Sequence, residues 1–209
     1  AWSVGLPCGG KIRVFVEPAD PGALARTAAA LAARERVERW LELGDGERFH
    51  LVVEPPVRLV IVGAVHLAQP LARLAQVEGW DVRLVDPRPA FATEDRFPGV
   101  AIGREWPEQA IPRLAADPRT AVVTLSHDAK LDDPALAAAL RSSAFYVGAL
   151  GSRRTQEKLR ARLREDGLSA AELERLHGPV GLDLGAVTPA EIAVEILAEI
   201  VGALRGVRQ

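Results

Sequence analysis

The stretch Leu59-Val60-Ile61-Val62-Gly63-Ala64-Val65-His66-Leu67-Ala68 constrains this chain more than any other: four consecutive apolar residues end on a glycine and run into a segment of helical character. A second apolar run, Asp81-Val82-Arg83-Leu84-Val85-Asp86, closes on a carboxylate 23 residues after Gly63. Strand, glycine turn, helix, strand and terminal acid together outline a Rossmann-type βαβ unit. In the G-x-G-x-x-G/A fingerprint the second glycine lets a pyrophosphate approach the backbone, and here that position holds Val65. Gly63 supplies the tight turn and Ala68 is acceptable as the third member, but the γ-methyls of Val65 occupy the space a pyrophosphate needs. Pro70 has no N–H, which delays the helix to about Leu67. The expectation is a Rossmann architecture whose usual dinucleotide site is impaired.

The same alternation continues downstream. Short apolar runs predict strands at 58–63, 81–86, 120–125 and 144–148, with a short one near 100–102. Helices are expected near 67–78, 106–115, 133–142 and 153–166, giving a parallel sheet. The C-terminal helix has the clearest start, with Thr188 as cap, Pro189 at the first position and Glu191 closing a capping box. Upstream the pattern differs. Residues 10–17 alternate Ile12, Val14 and Val16 with Lys11, Arg13 and Phe15, which predicts a strand ended by Pro18. A helix follows from Pro21 to about Arg34, then two strands, 37–43 and 48–53, about a Gly44-Asp45-Gly46 hairpin. Glu54-Pro55-Pro56 is a stiff break. The fold class expected is α/β: a Rossmann-type parallel-sheet domain over 57–209 with a smaller N-terminal α+β domain over 1–54.

Bulk properties remove several classes of function. The 209 residues carry a net charge of −2, so no general field favours a polyanion, and nucleic acid is not an expected partner. The cations are 23 Arg and only 3 Lys, which suits local anion pockets. One cysteine, Cys8, excludes an internal disulfide framework and fits a reducing compartment, the cytoplasm. No apolar stretch reaches the roughly 18 to 20 residues needed to span a bilayer, so membrane insertion is not expected.

Four constellations carry chemistry, each with a plainer reading beside it. Asp86 stands where a carboxylate meets a ribose diol and Arg88 where a phosphate could be met, although Asp86-Pro87 also suits a turn cap. Ser126-His127-Asp128 follows a strand at the edge where α/β folds place ligands; it can bind, transfer protons or cap a turn, and no serine elbow points to hydrolysis. Gly148-Ala149-Leu150-Gly151-Ser152-Arg153-Arg154 leaves a strand through two glycines and enters a helix capped by Ser152. Two guanidinium groups in a first turn oppose the helix dipole by roughly 0.3 to 1 kcal/mol each, a conflict that a bound anion resolves. Solvent exposure, or pairing with Glu157, is the alternative. Gly181-Leu182-Asp183-Leu184-Gly185 precedes the last helix and would let backbone approach a ligand or a partner chain. Cys8, in Pro7-Cys8-Gly9-Gly10, is either a small apolar residue or a thiolate for a soft metal; no second Cys or His stands at zinc-site spacing.

At these residues the chain resembles the xanthine dehydrogenase accessory protein family, the XdhC/CoxI type. The matching stretches are Pro7-Cys8-Gly9-Gly10, Ile61-Val62-Gly63-Ala64 with His66, Val85-Asp86-Pro87-Arg88, Arg96-Phe97-Pro98, Ser126-His127-Asp128, Tyr146 to Arg154, and Gly181 to Gly185 with Thr188 to Ala193. The resemblance implies a molybdenum-cofactor (molybdopterin) chaperone without turnover of its own. Such a protein binds the pterin, assists its sulfuration and passes it to xanthine or carbon monoxide dehydrogenase-type molybdenum hydroxylases, with a cysteine desulfurase as a further partner. It also implies a Rossmann C-terminal domain beside a smaller N-terminal domain carrying the Cys8 motif, and a homodimer. The cofactor site expected from the residues contains Gly63, Ala64, His66, Asp86, Arg88, Ser126, His127, Asp128, Gly148, Gly151, Ser152, Arg153, Arg154 and Asp183, with Cys8 at the metal. The rival expectation is an NAD(P)-dependent oxidoreductase with a degenerate fingerprint, against which Val65 weighs; a scaffold with no ligand is the third.

Overall fold

A computed structural model of the chain describes residues 14–43 and 46–207. The chain divides into two units, the first ending at Pro55 and the second beginning at Pro56. In the first, helix α1 (Pro21–Ala32) starts on Asp20, whose carboxylate accepts the N–H of Gly22 at 2.9 Å, with Pro21 at the first helical position. Strands β1 (Val37–Glu42) and β2 (Arg48–Val53) form an antiparallel hairpin registered from Val37↔Val53 to Glu42↔Arg48. The strand expected at 10–17 is corrected for its described part. Residues 14–17 carry no strand, and Val14 and Val16 stand open to solvent. Among the described residues β1 and β2 pair only with each other, so residues 14–17 have no ladder to join there, and alternation alone does not satisfy backbone hydrogen bonds.

The second unit is a six-stranded, wholly parallel sheet. Its strands are β3 (Arg58–Val62), β4 (Asp81–Val85), β5 (Ala101–Gly103), β6 (Thr120–Thr124), β7 (Tyr146–Ala149) and β8 (Leu176–His177), in spatial order β5-β4-β3-β6-β7-β8. That order reverses direction between β3 and β6, the switch point of a Rossmann sheet. Side chains alternate between two cores, as a sheet covered on both faces requires. Leu59, Ile61, Ala121 and Val123 pack under α2 (Ala68–Val77) and α7 (Pro189–Leu204). Val60, Val62, Val122 and Val147 pack under α3 (Pro107–Arg113), α4 (Ala129–Leu140), α5 (Arg153–Glu165) and α6 (Ala170–Glu174).

In this unit two element starts and two short elements stand out against the sequence expectation. α4 begins four residues ahead of 133, because Asp128 accepts the N–H of Lys130 and caps the helix there, with Pro134 absorbed inside it. β7 begins two residues later than expected. The unforeseen pieces are α6, nucleated by a Ser169/Glu172 capping box, and the two-residue β8, both too short to show a period. The Thr188–Glu191 capping box is present as the residues imply, and α7 follows it. No helix among the described residues is long and apolar enough to cross a membrane.

Glu199 of α7 ties three elements together. Its carboxylate accepts Tyr146 Oη–H at 2.6 Å and the Gly181 N–H at 2.6 Å, and it meets His177 Nδ1 at 2.8 Å. Burial pushes this carboxyl up, but His177, Tyr146 and the Gly181 N–H outweigh burial and hold it below the ordinary 4.5. Its stabilising contribution is therefore present above about pH 4.5 and is lost as the pH falls through the lowered value. Glu199→Ala leaves a buried hydroxyl and a half-buried N–H without an acceptor and should cost about 3 kcal/mol in urea denaturation at neutral pH. A loss below about 1 kcal/mol would contradict this role.

Candidate functional site: the carboxyl rim of the parallel sheet

The strand register levels the sheet at its carboxyl end. Val62, Val85, Thr124 and Ala149 stand in one row across β4, β3, β6 and β7. The residues that follow them, Gly63, Asp86, Leu125 with Ser126, and Leu150 with Gly151, therefore form a rim in space from four separate places in the chain. Gly63 adopts φ +101, and a Cβ placed on it would lie 2.8 Å from the Cβ and the N of Ser126. The two turns flanking the switch point are thus in direct contact, which closes the crevice at its floor.

Asp86 is fully buried beneath this contact. Oδ1 accepts the N–H of Arg88 at 2.9 Å and its Nε–H at 2.8 Å; Oδ2 accepts the N–H of Ala64 at 2.7 Å and Arg88 Nη2–H at 2.7 Å. A carboxylate has about four acceptor positions, and these four donors fill them. Burial pushes Asp86 up, but the Arg88 guanidinium and the two N–H groups outweigh burial and hold its carboxyl below 3.8. The roles expected of these residues change accordingly. Asp86 offers no free acceptor to a ribose diol, the Ala64 N–H is already spent, and Arg88 turns its fork inward instead of toward a phosphate. The back of that guanidinium covers Phe91 at 4.6 Å. Gly148 is corrected as well: it is buried inside β7, and a Cβ there would sit 2.6 Å from Val180 Cγ2, so its smallness serves packing and not ligand approach.

Beside the Asp86 cluster, Ser126, His127 and Asp128 make the β6–α4 turn. His127 is exposed and left-handed, with φ 58, a conformation uncommon outside glycine and one that Asn, Asp and His adopt more readily than other residues. Ser126 Oγ accepts the Asp128 N–H at 3.1 Å and donates to Asp132 Oδ1 at 2.6 Å. Asp132 was not foreseen; its signal is its place four residues after the Asp128 cap, one helical turn on and facing back toward the cap. Burial raises its carboxyl from 3.8 to about 6, against the opposing pull of Ser126 and His127.

At the β7 end, Gly151 has φ +142 and lies against Thr155, while Ser152 accepts the Thr155 N–H at 3.3 Å and caps α5. Gln156 locks the helix start to the strand by donating to Ala149 O at 2.9 Å. Arg153 and Arg154 are exposed, and neither guanidinium has an ion-pair or hydrogen-bond partner among the described residues, so the expected alternative of pairing with Glu157 does not occur. His66 is exposed near the start of α2, with Nδ1 3.4 Å from Gln69 Nε2. Asp183 is exposed on a loop pinned to α7, where Glu195 accepts the N–H groups of Leu184 and Ala186 at 2.9 Å each. Cys8 lies outside the described residues. Among those described, no group of three His, Cys, Asp or Glu could hold a metal ion.

The unit is thus a Rossmann-type α/β domain whose dinucleotide acid is sealed into its scaffold and whose open cations stand at one helix start. The family model of the XdhC Rossmann domain matches residues 59–200, and the chain belongs to that family. It is 34% identical over 152 residues to the molybdenum cofactor insertion chaperone PaoD of Escherichia coli, covering 73% of this chain and 42% of that protein. It is 32% identical over 150 residues to a probable subunit of the xanthine dehydrogenase of Bacillus subtilis, covering 71% of this chain and 43% of that one. The chain therefore spans less than half the length of these relatives. A crystal structure of a xanthine dehydrogenase from Bacillus halodurans superposes with a TM-score of 0.77 at 22% identity, over 88% of this chain and 67% of that one, a likeness of fold.

Asp132 supplies a test of the rim. Its folded value of about 6 lies above the ordinary 3.8, so the folded chain binds a proton more readily than the unfolded one. Stability then falls as the pH rises between those values, and the cost is fully present above about pH 6. Wild type should lose up to about 3 kcal/mol relative to Asp132→Asn between about pH 4 and pH 7 in denaturant melts. A difference that does not change with pH would remove the buried acid from this account.

Proposed function

We propose that this chain is a molybdenum-cofactor maturation factor: it binds the molybdopterin, assists its sulfuration and hands it to a xanthine or carbon monoxide dehydrogenase-type molybdenum hydroxylase. The observation that carries the reading is the pair of unpartnered guanidinium groups, Arg153 and Arg154, at the first turn of α5 on the carboxyl rim. Its kinship to PaoD, a protein named for inserting this cofactor, supports the same reading.

The donor set suits a phosphate monoester, as the pterin carries. Gly151 keeps the turn free of a side chain, Ser152 orients the helix start, and the two Arg supply charge-assisted donors. Ser126, His127 and Asp128 line the neighbouring turn of the same rim, and His66 and Asp183 are candidates for its outer contacts. Asp86 acts from beneath: with Arg88 and the Ala64 N–H it holds the Gly63 turn that the rim rests on. Cys8 is the thiolate assigned to molybdenum. The bound cofactor is cargo, and its redox chemistry belongs to the client enzyme. A cysteine desulfurase as sulfur source, a homodimeric assembly and a cytoplasmic location complete the proposal.

Protein mixed with cofactor released from a denatured molybdenum hydroxylase, then passed over gel filtration, should carry pterin fluorescence. The Arg153→Ala/Arg154→Ala variant should retain at least about tenfold less, the effect of losing roughly 1.4 kcal/mol or more of binding. Unchanged retention would remove the phosphate assignment. Calorimetric titration with NAD(H) and NADP(H) should give no heat; micromolar dinucleotide binding without pterin binding would put the oxidoreductase reading in its place.

A further inference from the structure

Helix α7 is apolar on nearly every side, its only charges from Pro189 to Leu204 being Glu191, Glu195 and Glu199. A helix of that composition belongs in a buried setting. Here one face, with Ala193, Ile196 and Ile200, is buried against the sheet, while Val194 and Val201 on the opposite face are 49% and 36% exposed. Leu184, in the loop ahead of the helix, is 67% exposed and borders a hollow of about 320 Å³ formed with Val194, Glu191 and Glu195. At the far end of the same face Arg205, the C-cap, is exposed, and its guanidinium has no partner among the described residues.

We propose that this face of α7 is the surface on which two copies of the chain associate, their α7 helices running antiparallel about a two-fold axis at Ala198. Charge decides the occupant and the direction. Glu191 precedes Ala198 by seven residues and Arg205 follows it by seven, about 10 Å to either side along the axis. An antiparallel pair therefore sets Glu191 of each copy opposite Arg205 of the other, twice over, whereas a parallel pair sets like against like. Within that register Val194 of one copy meets Val201 of the other across Ala198, whose small side chain permits close approach. The carboxylate-lined hollow beside Leu184 lies where the second copy's Arg205 arrives. Such a self-complementary patch is what an isologous interface requires. Antiparallel alignment also opposes the two helix dipoles favourably.

The inference gives a surface to the paired assembly in the reading above, and sedimentation of the full chain tests it. Wild type should dimerise in the micromolar range. Val194→Arg and Arg205→Glu should each raise the dissociation constant about tenfold or more, while Val77→Arg, at an 84% exposed valine on α2, should leave it unchanged. Matching circular dichroism spectra and melting temperatures establish that the variants fold. A chain that stays monomeric through the micromolar range overturns the proposal, as does a dimer indifferent to both α7 substitutions. Pterin retention by the Val194→Arg monomer keeps a failure of this surface distinct from a failure of the cofactor reading.

Discussion

The rim depends on one buried carboxylate. Asp86 follows β4, and its oxygens hold the Ala64 N–H after β3 and the guanidinium and N–H of Arg88. A buried carboxylate without partners would cost several kcal/mol, and four charge-assisted bonds offset that cost only in this geometry. The consequence is a rigid joint between the two central strands where a dinucleotide fold usually stays open to its ligand. Gly63 completes the joint by bringing the first turn against Ser126, an approach that any side chain there would block.

With the switch point closed, the open polar groups lie to either side of it along the rim. The groups left free are the exposed imidazole of His127, held in a left-handed turn by Ser126, Asp128 and the buried Asp132, and the two cations at the start of α5. Both arrangements are locally unfavourable. A left-handed non-glycine residue costs roughly 1 to 3 kcal/mol, and each cation in a first helical turn costs some tenths of a kcal/mol more. The buried acids around them have partners: Asp86 is saturated, Glu199 is bound by Tyr146 and His177, and Asp133 is bound by Arg162 at 2.5 and 2.9 Å, while Thr124 Oγ1 and Gln156 Oε1 are buried without a partner.

Much of the fold was legible in the residues because the relevant signals are local. The run from Leu59 to Gly63, the Thr188-Pro189-Glu191 start and the Ser152 cap depend on neighbours within one or two turns, and each appears where expected. β8 and α6 were not legible, since two and five residues cannot show a period. The alternation at 14–17 misled for the converse reason: a strand exists only if another strand completes its ladder. Within the site, residue types placed Ser126–Asp128 and Gly151–Arg154 on the rim, but Asp132 stayed hidden because its importance comes from burial, which a single acid in a helix does not announce.

The sequence by itself determined the βαβ alternation, the capped helices and the presence of cations at a helix start, because hydrophobic period and capping chemistry act over a few residues. Only the tertiary structure decided what Asp86, Arg88, Gly148 and Glu199 do. Whether a carboxylate faces a ligand or fastens two strands together turns on donors from distant parts of the chain, and those donors meet it only when the parallel register levels the strand ends.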